Sequence, residues 1–282
     1  MERQEDTTEM DEFVKAAGAM DRQEILERLF FPRRELPEEA RPAIGMALMV
    51  RVAEDISIGC RFYPAAIGGP SLLYFHGNGE IAADYDYVAP IYQERGINLF
   101  VADYRGYGAS GGRPGCAALI ADSHPLFKGF LSFLRNQGHQ GDLFVMGRSL
   151  GSAPAIEVAY HYQQGLKGLI VESGFADQRN QLARLGVSHL FEDPEKVIGF
   201  GNHIKIAHIR IPTLIIHGEE DDIIPVEEGR SLLALSGAPA KKSLFVAGAG
   251  HNDLLDRALD RYMGAVASFT GARGGMDFGK ES

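Results

Sequence analysis

Ser149 stands at the centre of Gly147-Arg-Ser-Leu-Gly151, a GxSxG pentapeptide behind the short apolar run Leu143–Met146. A serine hydroxyl is a weak nucleophile at neutral pH, so a catalytic serine needs a base to take its proton and donors to hold the oxyanion its attack creates. It also needs a tight strand-to-helix turn with small neighbours. The segment meets this last condition. Glycines flank the serine two residues away on either side, Ser152, Ala153 and Ala155 keep the next helix thin, and Pro154 falls in its first turn, where a missing N–H costs little. The other groups must come from elsewhere in the chain.

In a strand–turn–helix setting the partners follow in the order serine, acid, histidine. Histidines occur at 76, 124, 139, 161, 189, 203, 208, 217 and 251, and only His251 lies beyond the run Thr213–Ile216 and its acidic loop. Its setting, GAGHND between the last strand-like run and the last helical segment, makes it the expected base. The acid must orient that imidazole and stabilise its protonated form. Glu219, Glu220, Asp221 and Asp222 crowd into HGEEDDIIP, whose spacing is not that of a calcium loop, and Glu172 ends the preceding strand-like run. Position alone leaves all five open. The oxyanion donors are expected from the N–H of Leu150, just after the serine, and of Asn78, in the glycine loop His76-Gly-Asn-Gly79. Arg148, beside the serine, has two readings: a contact for an anionic group, or a brace for the turn.

These groups need a scaffold, and the chain provides a regular one. Short apolar runs at Met46–Val52, Ile56–Tyr63, Ser71–Phe75, Ile97–Ala102, Leu143–Met146, Gly168–Val171, Thr213–Ile216 and Ser243–Val246 read as strands, several continuous enough to be covered on both faces. From the third onward, helical segments separate them, at Ile81–Glu94, Ala117–Asn136, Leu150–Gln163, Val226–Leu235 and Asn252–Phe269. The alternation predicts an α/β fold with a mostly parallel sheet flanked by helices, its first two strands forming an antiparallel edge. Residues 1–44 read as an N-terminal helical flank, with a helix opened by Asp21 and stopped before Pro32; residues 45–270 form the main domain, and 271–282 a flexible glycine-rich tail. The connection 174–211, with Phe175, Leu182, Leu185, Leu190, Phe191 and Phe200, reads as a small lid-like insertion whose apolar residues would wall an acyl pocket.

HGNG at 76–79, DYRGYGASGG at 103–112, GRSLGS at 147–152, HGEEDDIIP at 217–225 and GHND at 250–253 together resemble the α/β-hydrolase superfamily over about Met46 to Phe269. Each motif is weak alone; five in the family's order are specific. The resemblance implies an α/β-hydrolase fold on an eight-stranded sheet and selects Asp221, fourth after the histidine of an HGxxDxxxP pattern, as the acid. It also puts Asn78 where the family's first oxyanion residue stands, makes His76 and His217 structural markers of strand ends, and assigns Asp103 and Arg105 to fixing a turn.

Composition bounds the alternatives. With 282 residues, 45% of them hydrophobic, the chain can bury a large core, and its formal charge of −10 opposes nucleic-acid binding. No stretch approaches the roughly 18 apolar residues of a membrane span, and the acidic MERQEDTTEMDE lacks the features of a signal peptide, so a cytoplasmic location is expected. Cys60 and Cys116 show no metal-ligand spacing, and neither metal nor cofactor is implied. Gly106-Tyr-Gly-Ala-Ser-Gly111 also satisfies GxGxxG, but a dinucleotide site needs a helix to begin at those glycines, and Gly112-Arg-Pro-Gly115 intervenes. The expectation is a serine hydrolase in which Ser149, His251 and Asp221 cleave a small acyl ester or thioester, with Asn78 and Leu150 as oxyanion donors. An amidase or peptidase on the same residues and a non-catalytic binding protein on the same fold are the alternatives.

Overall fold

The structure, a computed structural model, describes residues 5–36 and 44–272. Helices α1 (Glu5–Gly18) and α2 (Gln23–Leu29) precede the hairpin of β1 (Met46–Ala53) and β2 (Ile56–Tyr63). Then follow β3 (Ser71–Phe75), α3 (Ala89–Glu94), β4 (Asn98–Ala102), α4 (Cys116–Asn136), β5 (Leu143–Arg148), α5 (Ser152–His161) and β6 (Gly168–Glu172). After β6 come α6 (Gln178–Arg184), α7 (Asn202–His208), β7 (Thr213–Gly218), α8 (Val226–Leu235), β8 (Lys241–Val246) and α9 (Leu254–Thr270). The expected α/β fold is therefore present. Its eight strands lie in the order β1-β2-β4-β3-β5-β6-β7-β8, and every pairing from β4 to β8 is parallel. The antiparallel edge extends one pair further than β1–β2, because β2 is also antiparallel to β4.

Every residue of β3, β4, β6 and β7 is buried, as continuous apolar strands require. Alternate side chains divide between two cores: Leu73, Phe75, Phe100 and Val145 face the side covered by α4 and α5, while Leu72, Tyr74, Val101 and Met146 face the side covered by α3 and α9. The tail residues 273–282, like 37–43, lie outside the described residues.

Three local expectations need correction. The segment Ile81–Glu94 is not one helix but a 3₁₀ turn, Ala82–Asp86, followed by α3. Pro90 explains the break: it lacks an N–H, and its ring would clash with the carbonyl four residues back, at Asp86. Helix α2 starts after Arg22 rather than at Asp21, whose carboxylate instead accepts the N–H groups of Cys116 and Ala117 at 2.6 and 3.2 Å, capping α4. The structure also contains α1, which the acidic sequence did not suggest; it packs on α4, with Ala17 and, in the turn just after the helix, Met20 fully buried.

The insertion between β6 and β7 is present as α6, two 3₁₀ turns and α7. Phe175, Leu182 and Phe200 are buried in the core on the α5 side, and Leu185, Leu190 and Phe191 pack against it. The N-terminal flank holds the outside of this segment: Arg28 donates to the Leu185 carbonyl at 2.7 Å and the Arg22 guanidinium lies over the Phe191 ring.

Candidate active site

Ser149 occupies the turn between β5 and α5 with φ of +54°, a left-handed conformation uncommon for a residue with a Cβ. The flanking glycines make this turn possible. A Cβ on Gly147 would lie 2.1 Å from the Gly151 carbonyl oxygen, and one on Gly151 would lie 2.1 Å from that of Phe75. The elbow thus packs directly against the end of β3, so the HGNG loop emerges beside it, with Phe75 paired to Gly147.

His251, in the loop after β8, and Asp221, in the loop after β7, converge on this turn. His251 Nε2 is 2.9 Å from Ser149 Oγ, and Nδ1 is 2.7 Å from Asp221 Oδ2. All three residues are buried, with 7%, 6% and 6% of the surface of Ser149, His251 and Asp221 exposed. Burial works against ionisation of Asp221, but hydrogen bonds from His217 and His251 and the N–H of Ile224 more than compensate, holding its carboxyl well below the usual carboxylate range. An ionised Asp221 accepts the His251 Nδ1–H, which leaves Nε2 with a lone pair toward the serine hydroxyl. The arrangement can take a proton from Ser149 as it attacks and return it to a leaving group.

Glu172, the other acid considered, is not brought to His251. It accepts from Arg148 Nε at 3.2 Å and from Tyr262 Oη at 2.6 Å. Glu219, Glu220 and Asp222 are exposed, whereas Asp221 points inward with Oδ1 on the Ile223 and Ile224 N–H groups. His217 donates to the Ile224 carbonyl at 2.7 Å and lies 3.3 Å from Asp221 Oδ2, so it supports the acid's loop. His76 sits between two acceptors, the Gly77 carbonyl at 2.8 Å and Asp103 Oδ1 at 3.2 Å. Although burial opposes its charge, Asp103 raises its pKa above the ordinary value. Arg105 forms a two-pronged ion pair with Asp122 and so joins its loop to α4.

The surroundings hold groups that sequence reasoning missed. The Asn78 side chain is bound to the N-terminal flank: Oδ1 accepts the Phe31 N–H at 2.9 Å and Tyr107 Oη–H at 2.7 Å, and Nδ2 donates to the Leu29 carbonyl at 2.8 Å. The flank therefore braces the loop expected to present the Asn78 N–H. Arg148 meets anionic groups of the protein itself, Glu80 and Glu172, and also donates to the His251 carbonyl and Asn252. Adjacency of Glu80 to HGNG and of Asn252 to His251 was the available signal. A cavity of about 300 Å³ opens beside His251, lined by Tyr74, Glu80, Asp84, Tyr85, Val88, Tyr92, Arg148, Glu172, Asn252, Leu254, Leu255, Asp256 and Tyr262. None of the residues 174–211 lines it: its walls come from β3 and the segment after it, from the segment after β8, and from Arg148 and Glu172.

Among the described residues, His124, Glu157 and His161 have ligand atoms close enough to share an ion. Lys205 already pairs with Glu157, however, and both imidazoles lie within 3.1 Å of its other oxygen, so the cluster is satisfied as a buried ion-pair network between α4, α5 and α7. Cys60 and Cys116 are buried, and burial pushes both thiols up, away from reactivity. The GxGxxG glycines do not open a helix, since α4 begins at Cys116. No helix of the described residues is long and apolar enough to cross a membrane.

Comparison with known proteins bears on the fold and the family. A family model described as serine aminopeptidase, S33, matches residues 70–197. The human α/β hydrolase domain-containing protein 17B is 31% identical over 215 residues, 73% of this chain and 69% of that protein. The uncharacterized protein YfhR of Salmonella typhi is 28% identical over 230 residues, 74% of this chain and 75% of its own. Among solved structures, an esterase of Pyrococcus furiosus superposes with a TM-score of 0.66 at 17% identity, covering 85% of this chain and 96% of its own. Est1E of Butyrivibrio proteoclasticus gives 0.62 at 19%, covering 80% and 97%. Fold, motif order and these relatives together make the chain a member of the α/β-hydrolase superfamily.

Proposed function

We propose that the protein is a serine hydrolase that cleaves a small acyl ester or thioester through an acyl-enzyme on Ser149. The observation that carries this reading is the hydrogen-bonded chain from Ser149 Oγ through His251 to Asp221, buried at one end of the sheet. In this reading His251 removes the serine proton as Oγ attacks the acyl carbonyl, the Asn78 and Leu150 N–H groups hold the oxyanion, and His251 protonates the departing alcohol or thiol. Water, deprotonated by the same imidazole, then releases the acid. Asp221 keeps the imidazole in the productive tautomer throughout.

Amide or peptide cleavage on the same residues is the second reading, favoured by the aminopeptidase description of the matching family model. A binding protein on this fold would have no need of a buried, ordered serine–histidine–aspartate chain. The test is pre-steady-state hydrolysis of p-nitrophenyl esters of increasing chain length, beside matched anilides. A burst of nitrophenol equal to the enzyme, with an acyl mass on the Ser149 peptide, is expected. Steady turnover with no covalent intermediate would contradict it.

A further inference from the structure

Arg148 ends β5 one residue before Ser149, with only 12% of its side chain exposed, and takes no part in the proton path. Its nitrogens engage three separate segments. Nη1 pairs with Glu80 after β3, Nε donates to Glu172 at the tip of β6 at 3.2 Å, and Nη2 donates to the His251 carbonyl and to Asn252 Oδ1, each at 2.9 Å. Glu80 extends this hold, because its second oxygen accepts the Gly77 N–H at 3.0 Å. Gly77 has no room for a side chain: a Cβ there would lie 2.4 Å from Arg148 Nη1.

The sheet does not couple these segments by itself. The loop carrying Asn78 follows β3 and the loop carrying His251 follows β8, four strand positions away in the sheet order, at about 4.8 Å per position. Both loops nevertheless close on one guanidinium beside the serine. We infer that Arg148 is a positioning residue: its planar fork sets the Asn78 loop and the His251 loop at their working distances from Ser149. This inference rests on the serine-hydrolase reading. A lysine keeps the charge but offers one nitrogen, which cannot serve three directions.

The test compares Arg148→Lys and Arg148→Ala with wild type for kcat, KM, fluorophosphonate labelling of Ser149 and thermal midpoint. A misplacement of about 1 Å at a reacting centre can cost about 100-fold, so Arg148→Lys should lose about 30- to 100-fold in kcat with KM changed less than threefold. Added guanidinium should restore part of the Arg148→Ala activity, and ammonium at the same ionic strength should not. Arg148→Lys with wild-type kcat would overturn the inference, as would lost activity that guanidinium fails to restore in a folded Arg148→Ala protein. If Arg148→Ala does not fold, Glu80→Gln and Asn252→Ala decide, since each removes one arm. Each is expected to lower kcat, with a double variant less than multiplicative; wild-type kcat in both would overturn the inference. Wild-type labelling separates the two levels: a wild-type Ser149 that does not react removes the hydrolase reading itself, whereas a reactive wild type with unchanged variants removes only the role of Arg148.

Discussion

Replacing Asp221 with asparagine tests the orientation of the base while leaving the base in place. The Asp221 carboxylate divides its work: Oδ1 accepts the Ile223 and Ile224 N–H groups at 3.0 and 2.7 Å, and Oδ2 accepts His251 Nδ1–H at 2.7 Å. An asparagine can keep its oxygen on the two backbone donors, so the loop should hold, and its amide nitrogen then faces His251. That nitrogen donates, which forces His251 Nδ1 to accept and moves the imidazole proton to Nε2, pointing at Ser149. A nitrogen that already carries a proton cannot take the serine's. In a serine–histidine–aspartate arrangement this tautomer error costs about 10⁴ in kcat, or about 5.4 kcal/mol of transition-state stabilisation. The assay is kcat/KM on a p-nitrophenyl ester, with circular dichroism and a thermal melt on the same preparation. Glu172→Gln, which faces Arg148 and Tyr262 instead, should lose about tenfold, a smaller effect because its carboxylate does not touch the imidazole. Asp221→Asn within tenfold of wild type, or Glu172→Gln falling further, would refute the assignment of the acid.

Gly151→Ala would drive a methyl into the Phe75 carbonyl, so it should cost at least about 3 kcal/mol or abolish soluble expression, as measured by urea unfolding. Asn78→Ala removes the donor to the Leu29 carbonyl and the acceptor of the Tyr107 hydroxyl, and leaves the Phe31 N–H with Tyr107 Oη alone; a loss of about 1–3 kcal/mol in the same assay is expected, together with a lower kcat. Stability should also depend on pH in a defined direction. Burial opposes the charge of Asp221 and Glu80, but their partners, His217 and His251 for the first and Arg148 for the second, lower both pKa values, so their contribution is complete above the ordinary values of 3.8 and 4.5 and is lost as pH falls. His76 is raised and contributes the opposite slope: its share is complete below the ordinary value of 6.5 and is lost as pH rises through the elevated one. Urea midpoints measured from pH 3 to 8 should therefore decline at the acid end, and Asp221→Asn should flatten that limb; an unchanged midpoint from pH 5 to 3 would be inconsistent with these ion pairs.

Much of the sheet was legible because buried parallel strands must be apolar. The runs Ile56–Tyr63 and Ser71–Phe75 are strands with those same limits, and Val226–Leu235 is a helix with those same limits. Ser149 and His251 stood out because each sits where a strand ends and a short loop begins, but position left five acids open and only the family resemblance selected Asp221; the structure brings the three side chains together. What escaped was long-range. Asp21 has the residue type of a helix cap, yet the helix it caps starts at Cys116. Arg148 lies beside the serine in sequence, but its partners come from Glu80, Glu172 and the His251 loop, and no local pattern announces that they converge. The apolar residues at 174–211 suggested a pocket wall, and Phe175, Leu182 and Phe200 instead fill the core, because hydrophobicity records burial without saying against what.

The most direct measurement is the reaction of the purified protein with a fluorophosphonate probe, followed by intact mass and peptide mapping, with Ser149→Ala in parallel. A base-activated serine should give one adduct, on the peptide containing Ser149, and the variant should give none while its turnover of acyl esters falls by up to about 10⁶. A folded wild-type protein that takes no adduct, or an adduct that persists in Ser149→Ala, would contradict the assignment of Ser149 as the nucleophile.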